Sequence, residues 1–195
     1  MFNLIIDFDQ LDLIQKKAKK LKRSFLKTEL KDWNLSCYAA ELLFQTTHLI
    51  NNVNLWQLAN YSVLAHERVN DEVADVLFNI LNIFNVLKLS VDDVFPYKND
   101  DYISISKQNI LNQAVNLCIN SGILWDAAFR REDYKHKIMT TPKEKIFIQN
   151  QIIKILILLL LLAQKLKIDV IKEFLIMEKN ATSFLDNYER KYKIY

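Results

Sequence analysis

The chain of 195 residues carries 26 basic and 23 acidic side chains, a formal charge of +3, and 51% hydrophobic residues. That hydrophobic share fills a core and excludes a disordered chain, and so small a charge excludes nucleic acid as the main partner. One glycine and two prolines, with no Asn-Gly or Asp-Gly pair, leave nothing for tight β-hairpins or for glycine-cradled phosphate loops. The expected fold is all-α, a helical bundle forming one domain over 1–195.

Period-3.6 patterning predicts a first helix over about Phe8 to Phe25 with a basic outer face, its Lys16 to Arg23 run read as a solvated surface. A second helix is expected from Asp32, as N-cap, to about Ile50, where Asn51-Asn52-Val53-Asn54 reads as a polar break. A short helical stretch around Leu55 to Leu64 then leads into a long helix, Glu67 to Leu87. Ser90 caps a short turn over Val91 to Phe95 that Pro96 ends. The polar, acidic segment Tyr97 to Tyr102 is the expected linker between two halves. Beyond it come a helix over Ser106 to Arg130, a charged loop over Arg131 to Thr141, a long helix over Pro142 to Leu166 and a last one over Asp169 to about Lys191.

The acidic start, Met1 to Asp9, lacks a basic leader. The stretch Ile155 to Ala163 is membrane-like but is cut by Lys154 and Gln164-Lys165 well short of the about 20 residues a spanning helix needs, so no membrane partner is expected. Cys37 and Cys118, far apart in apolar helical contexts, read as buried free thiols in a reducing, cytoplasmic setting.

The two halves echo each other. The run 83–91 aligns with 162–170 at an offset of about 79 residues, each long helix ending at Leu-Lys before a small capping residue, Ser90 or Asp169. Leu117 to Asn120 takes the place of Leu35 to Tyr38, and Tyr97-Lys98-Asn99 roughly answers Glu178-Lys179-Asn180. The repeat units run over 28–99 and 104–191.

Glu72 and Asp75, at i and i+3, share one face of an otherwise apolar helix. Glu41 stands among core residues of the preceding helix. Acids on inward stripes are costly unless a cation neutralises them, and antiparallel packing would set Glu41 opposite the other two. Three converging carboxylates would suit Mg²⁺ or Mn²⁺.

This pattern resembles the all-α NTP pyrophosphatases, the superfamily of MazG and the dimeric dUTPases, whose signature is a Glu-x-x-Glu pair on one helix and Glu-x-x-Asp on the next. Asp71-Glu-Val-Ala-Asp-Val-Leu77 and Asn85 to Val94 look like the family's segments. Glu41 matches the second glutamate of the first pair, but Tyr38 stands where the first should be, with Glu67 or Asp71 available to compensate. In the second half Asn120 and Ile123 replace the first pair and Gln151 and Lys154 the second, Lys154 filling the decayed site. The resemblance implies metal-dependent hydrolysis of a nucleoside triphosphate to its monophosphate and pyrophosphate, with Glu41, Glu72 and Asp75 as the metal-holding, catalytic residues. It also implies a family position near the substrate for Lys98 and Asn99, and a homodimer unless the fused halves replace it. Gln45 and His48, on the face of Glu41, are candidates to orient water or substrate, with a structural role for His48 as the alternative. Trp33 and Trp56 are candidates to stack a base, or core residues. The competing readings are an inactive MazG-like scaffold that binds a nucleotide or protein, and a plain helical interaction module.

Overall fold

The computed structural model describes residues 8–27, 33–91, 101–132 and 141–192, and within these it contains seven helices and no strand. They are α1 (Phe8–Leu26), α2 (Leu35–Leu58), α3 (Val63–Leu87), α4 (Asp101–Ser106), α5 (Ile110–Glu132), α6 (Pro142–Leu166) and α7 (Val170–Tyr192). The all-α bundle expected from composition is what forms.

Side-chain caps set most of the boundaries. The Asn34 side chain accepts from the Cys37 amide at 3.0 Å and opens α2, so the helix starts two residues after the expected cap, Asp32, which lies outside the described residues. The predicted break at 51–54 does not occur, and α2 runs through it to Leu58. Asn51 and Asn54 sit on the solvent face, Val53 is buried, and Asn52 is bonded to Glu72. Polar residues confined to the outer side of a helix do not interrupt it.

The reversal comes instead at Asn60 and Tyr61, both left-handed (φ 49° and 62°), after which Ser62 caps α3. Left-handed geometry costs a tyrosine on the order of 1–3 kcal/mol. The Tyr61 amide bonds Trp56 O at 2.9 Å, and its ring packs edge-on against Trp56 at 4.8 Å, which holds it there. The helix expected over Ser106 to Arg130 divides into α4 and α5, because Asn109 caps α5 by accepting from the Asn112 amide at 2.8 Å. The predictions for Ser90 to Pro96 beyond Val91, for Tyr97 to Asp100, and for 133–140 of the charged loop fall outside the described residues.

Helix α6 matches its predicted bounds. Pro142 occupies the first turn, and Thr141 and Glu144 form a reciprocal capping box. Helices α3 and α6 are each 25 residues long. Both end in the same motif. Lys88 and Lys167 turn left-handed (φ 58° and 59°), the following amides, of Leu89 and Ile168, reach back to Phe84 O and Ala163 O, and the lysine amides bond Asn85 O and Gln164 O. Every one of these positions, and the N-caps Ser62 and Thr141, lies 79 residues from its counterpart.

In the bundle α2 packs along both α3 and α5, α5 along α6, and α6 along α3, while α1 and α7 lie together over α3. Helix α6 buries almost everything from Gln151 to Ala163. It is the one helix among the described residues long and apolar enough to cross a membrane, against the sequence expectation that it falls short. Its apolar stretch is 72% buried inside the fold, as the core helix of a bundle is.

Gln15 clips α1 to the end of α3, donating to Leu89 O at 2.8 Å and accepting from the Val91 amide at 3.2 Å. Helix α7 leaves the line of α6 after the Lys167 turn and crosses to α3 and α1, where Glu178 pairs with Lys17 at 2.7 Å. Both cysteines are free. Cys37 is exposed, which corrects the expectation of two buried thiols, and Cys118 is half-buried with its Sγ 3.7 Å from Thr47 Oγ1.

Candidate functional site

Helices α2 and α3 carry four acids near one another, three of them half-buried and the fourth, Asp71, exposed. Helix α2 supplies Glu41, and one turn on Gln45 donates to Glu41 Oε1 at 2.8 Å, fixing that carboxylate against its own helix. Helix α3 supplies Asp71, Glu72 and Asp75. Glu72 points across to α2, where Oε1 accepts from Asn52 Nδ2 at 2.9 Å and lies 3.9 Å from His48 Nδ1. Its other oxygen, Oε2, is buried without a hydrogen-bond partner. A buried carboxylate oxygen without a donor is costly.

Electrostatics bind the four acids into one group. Burial first, and then the charges of Glu72, Asp71 and Glu41, push the Asp75 carboxyl up from 3.8 to about 6, with His48 opposing. Glu72 is raised mainly by burial, with His48 and the Asn52 bond pulling the other way. Asp71 is raised by burial and by the nearby charge of Glu67. Burial together with the like charges around Asp75 disfavours its ionised form, and a nearby cation would relieve that.

Glu41, Gln45, Asp71 and Asp75 line one wall of a cavity of about 470 Å³. Lys22 and Phe25 of α1, and Trp33 and Tyr38 at the entry to α2, also line it. Lys22 is only 6% exposed, and its Nζ stands 3.6 Å over the Trp33 ring and 5.4 Å from that of Tyr38. Trp33 and Tyr38 pack against each other at 5.3 Å. Phe25 and Phe78 add an edge-to-face pair at 6.5 Å, and Met177 and Asn180 of α7 close the far end.

Of the residues singled out from sequence, Glu41, Asp75, Gln45 and Trp33 therefore meet at one cavity. Asp71, expected as a compensating acid, joins them, whereas Glu67 is exposed and acts only through its charge. Glu72 flanks this wall rather than lining it. His48 stacks on Phe44 at 4.1 Å and is 46% exposed, and it meets the site through its contact with Glu72 and its charge near Asp75. Trp56 packs on Tyr61 and His66 at the α2–α3 turn, away from the cavity. Lys98 and Asn99 lie outside the described residues.

The donor set suits a hard divalent ion in kind, being carboxylates with one orphaned oxygen and mutual repulsion to offset. Among the described residues, no group of three or more His, Cys, Asp and Glu side chains is arranged to hold a metal ion.

Lys22, Tyr38, Phe78, Met177 and Asn180 were not legible as site residues. For Lys22 the signal was present, since position 22 continues the buried stripe Leu11, Ile14, Ala18, Leu21, which places it inside rather than on the solvated face assigned to its basic run.

In the second half the corresponding helices meet differently. Gln151 Nε2 donates to both Asn120 O and Asn120 Oδ1 at 3.0 Å, in a buried contact. The expectation that Lys154 fills this place is replaced by an amide pair that satisfies itself.

No protein-family model matches the chain, and no curated protein or solved structure matches it either.

Proposed function

We propose that the chain is a metal-dependent nucleoside-triphosphate pyrophosphohydrolase of the MazG-like kind, releasing a nucleoside monophosphate and pyrophosphate in nucleotide house-cleaning. The carrying observation is the carboxylate group Glu41, Asp71, Glu72 and Asp75, within which burial and the neighbouring charges raise the Asp75 carboxyl to about 6, beside a cavity of about 470 Å³. Glu41, Glu72 and Asp75 would hold Mg²⁺ or Mn²⁺, with Asp71 standing in for the acid absent at Tyr38. A divalent ion there supplies charge neutralisation at the phosphate oxygens and acidifies water. Gln45 holds the Glu41 carboxylate in place, and Asn52 and His48 hold Glu72. Trp33 and Phe78 offer flat apolar walls for a base.

The equal lengths and matching caps of α3 and α6 support the reading of two fused MazG-like halves, one acid-bearing and one decayed. Fusion would satisfy internally the pairing that single-half enzymes make between subunits. The exposed Phe44 of α2 and Ile119 and Ile123 of α5 leave an apolar face on which a homodimer could form. Two free thiols suit a reducing, cytoplasmic setting.

A second reading has its own observation. The carboxylates are not drawn into a ligand cluster among the described residues, which favours an inactive MazG-like scaffold that binds a nucleotide or protein without turnover. Pyrophosphate release from a panel of dNTPs with Mg²⁺ or Mn²⁺ separates the two. Release by the wild type that disappears in Glu72→Gln supports the enzyme, and no release by either protein leaves the scaffold.

A further inference from the structure

The chain's single glycine stands in the middle of a helix, and its surroundings do not ask for it. Gly122 of α5 has no positive φ, and among the described residues a methyl added there would meet only Leu43 Cδ1, at an ordinary 3.8 Å. Glycine weakens a helix interior relative to alanine. A glycine where alanine would fit and be preferred is explained by a close approach from outside the chain.

Beside it runs a self-complementary stripe. Asn112, Val115, Ile119, Ile123 and Asp126 are all exposed on α5, spaced three, four, four and three residues apart, so they share one face. The order polar, apolar, apolar, apolar, polar reads the same in both directions about Ile119. An isologous two-fold contact needs this property, because each residue must meet its counterpart and be met in return. Helix α2 lies along the glycine edge of the stripe. Leu43 is next to Gly122, and Thr47 Oγ1 is 3.7 Å from Cys118 Sγ, which sets the exposed Phe44 level with the turn from Ile119 to Gly122.

We infer that this face binds a second copy of the chain, with the two α5 helices antiparallel and meeting at Ile119. Ile119 then packs on the partner's Ile119, Val115 on the partner's Ile123, and the Asn112 amide donates to the partner's Asp126. Charge favours this direction. Asp126, Arg130, Arg131 and Glu132, the charged residues of α5, all lie in its last two turns. Antiparallel pairing sets them against the uncharged first turns of the partner. A parallel pair would set aspartate against aspartate and arginine against arginine, and would align the two helix dipoles.

The area is also right. On this face and its α2 flank Phe44, Val115, Ile119, Ile123, Trp125 and Phe129 are each 36–54% exposed. Together they present on the order of 500 Å² of apolar surface. Two such patches give on the order of 1,000 Å², the apolar share of a standard homodimer interface of about 1,600 Å². The inference gives the homodimer suggested above its geometry, and it does not depend on the catalytic reading.

Sedimentation velocity of the full chain, over a concentration series up to about 100 µM, tests it. The wild type is expected to be a dimer. Ile119→Lys is expected to be a monomer with unchanged helical circular dichroism, its association weakened at least about 100-fold by two ammonium groups meeting at the axis. Gly122→Ala is expected to weaken pairing about tenfold or more, yet to raise the melting midpoint of the Ile119→Lys monomer by about 2–4 °C. With diamide as oxidant, Ile119→Cys in a Cys37→Ser, Cys118→Ser background is expected to cross-link to a dimer, since the axis brings the two thiols together.

A wild type that stays monomeric overturns the inference and leaves the face to another protein. A dimer that Ile119→Lys or Gly122→Ala leaves as tight as before overturns it too. If Ile119→Lys does not fold, the Ile119→Cys cross-link decides alone, and its absence in a folded protein overturns the inference. A chain that pairs in this way but releases no pyrophosphate from any dNTP upholds the inference while the hydrolase reading falls.

Discussion

Between α2 and α3 the half-buried acids are Glu41, Glu72 and Asp75, with Asp71 at their exposed edge. Between α5 and α6 the facing polar side chains are Asn120 and Gln151. The helices that carry them are alike, α3 and α6 having the same length, the same kind of N-cap and the same lysine-centred ending. What differs is how the buried polar groups are satisfied. The amides bond each other at 3.0 Å and need nothing from outside. The carboxylates repel one another, leave Glu72 Oε2 without a donor and, with burial, raise the Asp75 carboxyl to about 6. A self-sufficient pair stabilises a fold, while a group with an unmet demand for positive charge waits for a ligand. The two helix pairs thus make a strut on one side of the molecule and, on the proposed function, a socket on the other.

Neutralising the socket should have the largest effect. On the proposed function, Glu41→Gln, Glu72→Gln and Asp75→Asn each lower pyrophosphate release at least about 100-fold, equivalent to about 2.7 kcal/mol of barrier. Gln151→Ala should leave that rate within about twofold. Equal losses on both sides would erase the distinction between socket and strut.

Stability should move in the opposite direction. The folded Asp75 binds its proton more tightly than an unfolded aspartate at 3.8 does, because its carboxyl is held up to about 6. Without divalent ions, stability is therefore highest at acid pH, falls as pH rises from about 4 through about 6, and is flat above. Asp75→Asn removes most of this slope and is expected to be about 1–3 kcal/mol more stable than the wild type at pH 7 by chemical denaturation. Saturating Mg²⁺ should flatten the wild-type slope, since an ion relieves the same repulsion. A wild type that gains stability between pH 4 and 6 would contradict the electrostatic account.

On the strut side, Gln151→Ala leaves Asn120 Oδ1 buried without its donor and should cost about 1–3 kcal/mol, independent of pH from 5 to 8. Smallest of all, Ser62→Ala and Thr141→Ala each remove one N-cap and should cost about 1 kcal/mol in thermal or urea unfolding. Thr141→Ala is the costlier, because it also breaks the capping box with Glu144.

The all-α class and the bounds of α1, α6 and α7 were legible because local chemistry decides them. Pro142 and the Thr141–Glu144 box start α6, and Asp169 opens α7 by accepting from the amides of Ile171 and Lys172. The α2–α3 turn was misplaced because asparagine signals both turns and exposed helix faces, and the real reversal uses Asn60 and Tyr61 without a glycine to mark it. The acidic wall could be anticipated from the i, i+3 spacing of Glu72 and Asp75 and from Glu41 among apolar neighbours. The rest of the cavity lining could not. Met177 and Asn180 arrive on α7, about 100 positions along the chain from the acids of α3, and which helices fold over α3 is decided by packing between distant segments.

The path of α7 also sets what can be cut away. The helix belongs by chain order to the amide-bearing half, yet it is latched by Lys17–Glu178 over the acid-bearing one and supplies the end wall of its cavity. Severing the molecule between its halves would strip that wall from the half that needs it and strand an amphipathic helix on the other. Neither fragment is a smaller version of the whole, and a chain interleaved in this way can be inherited, lost or redesigned only in one piece.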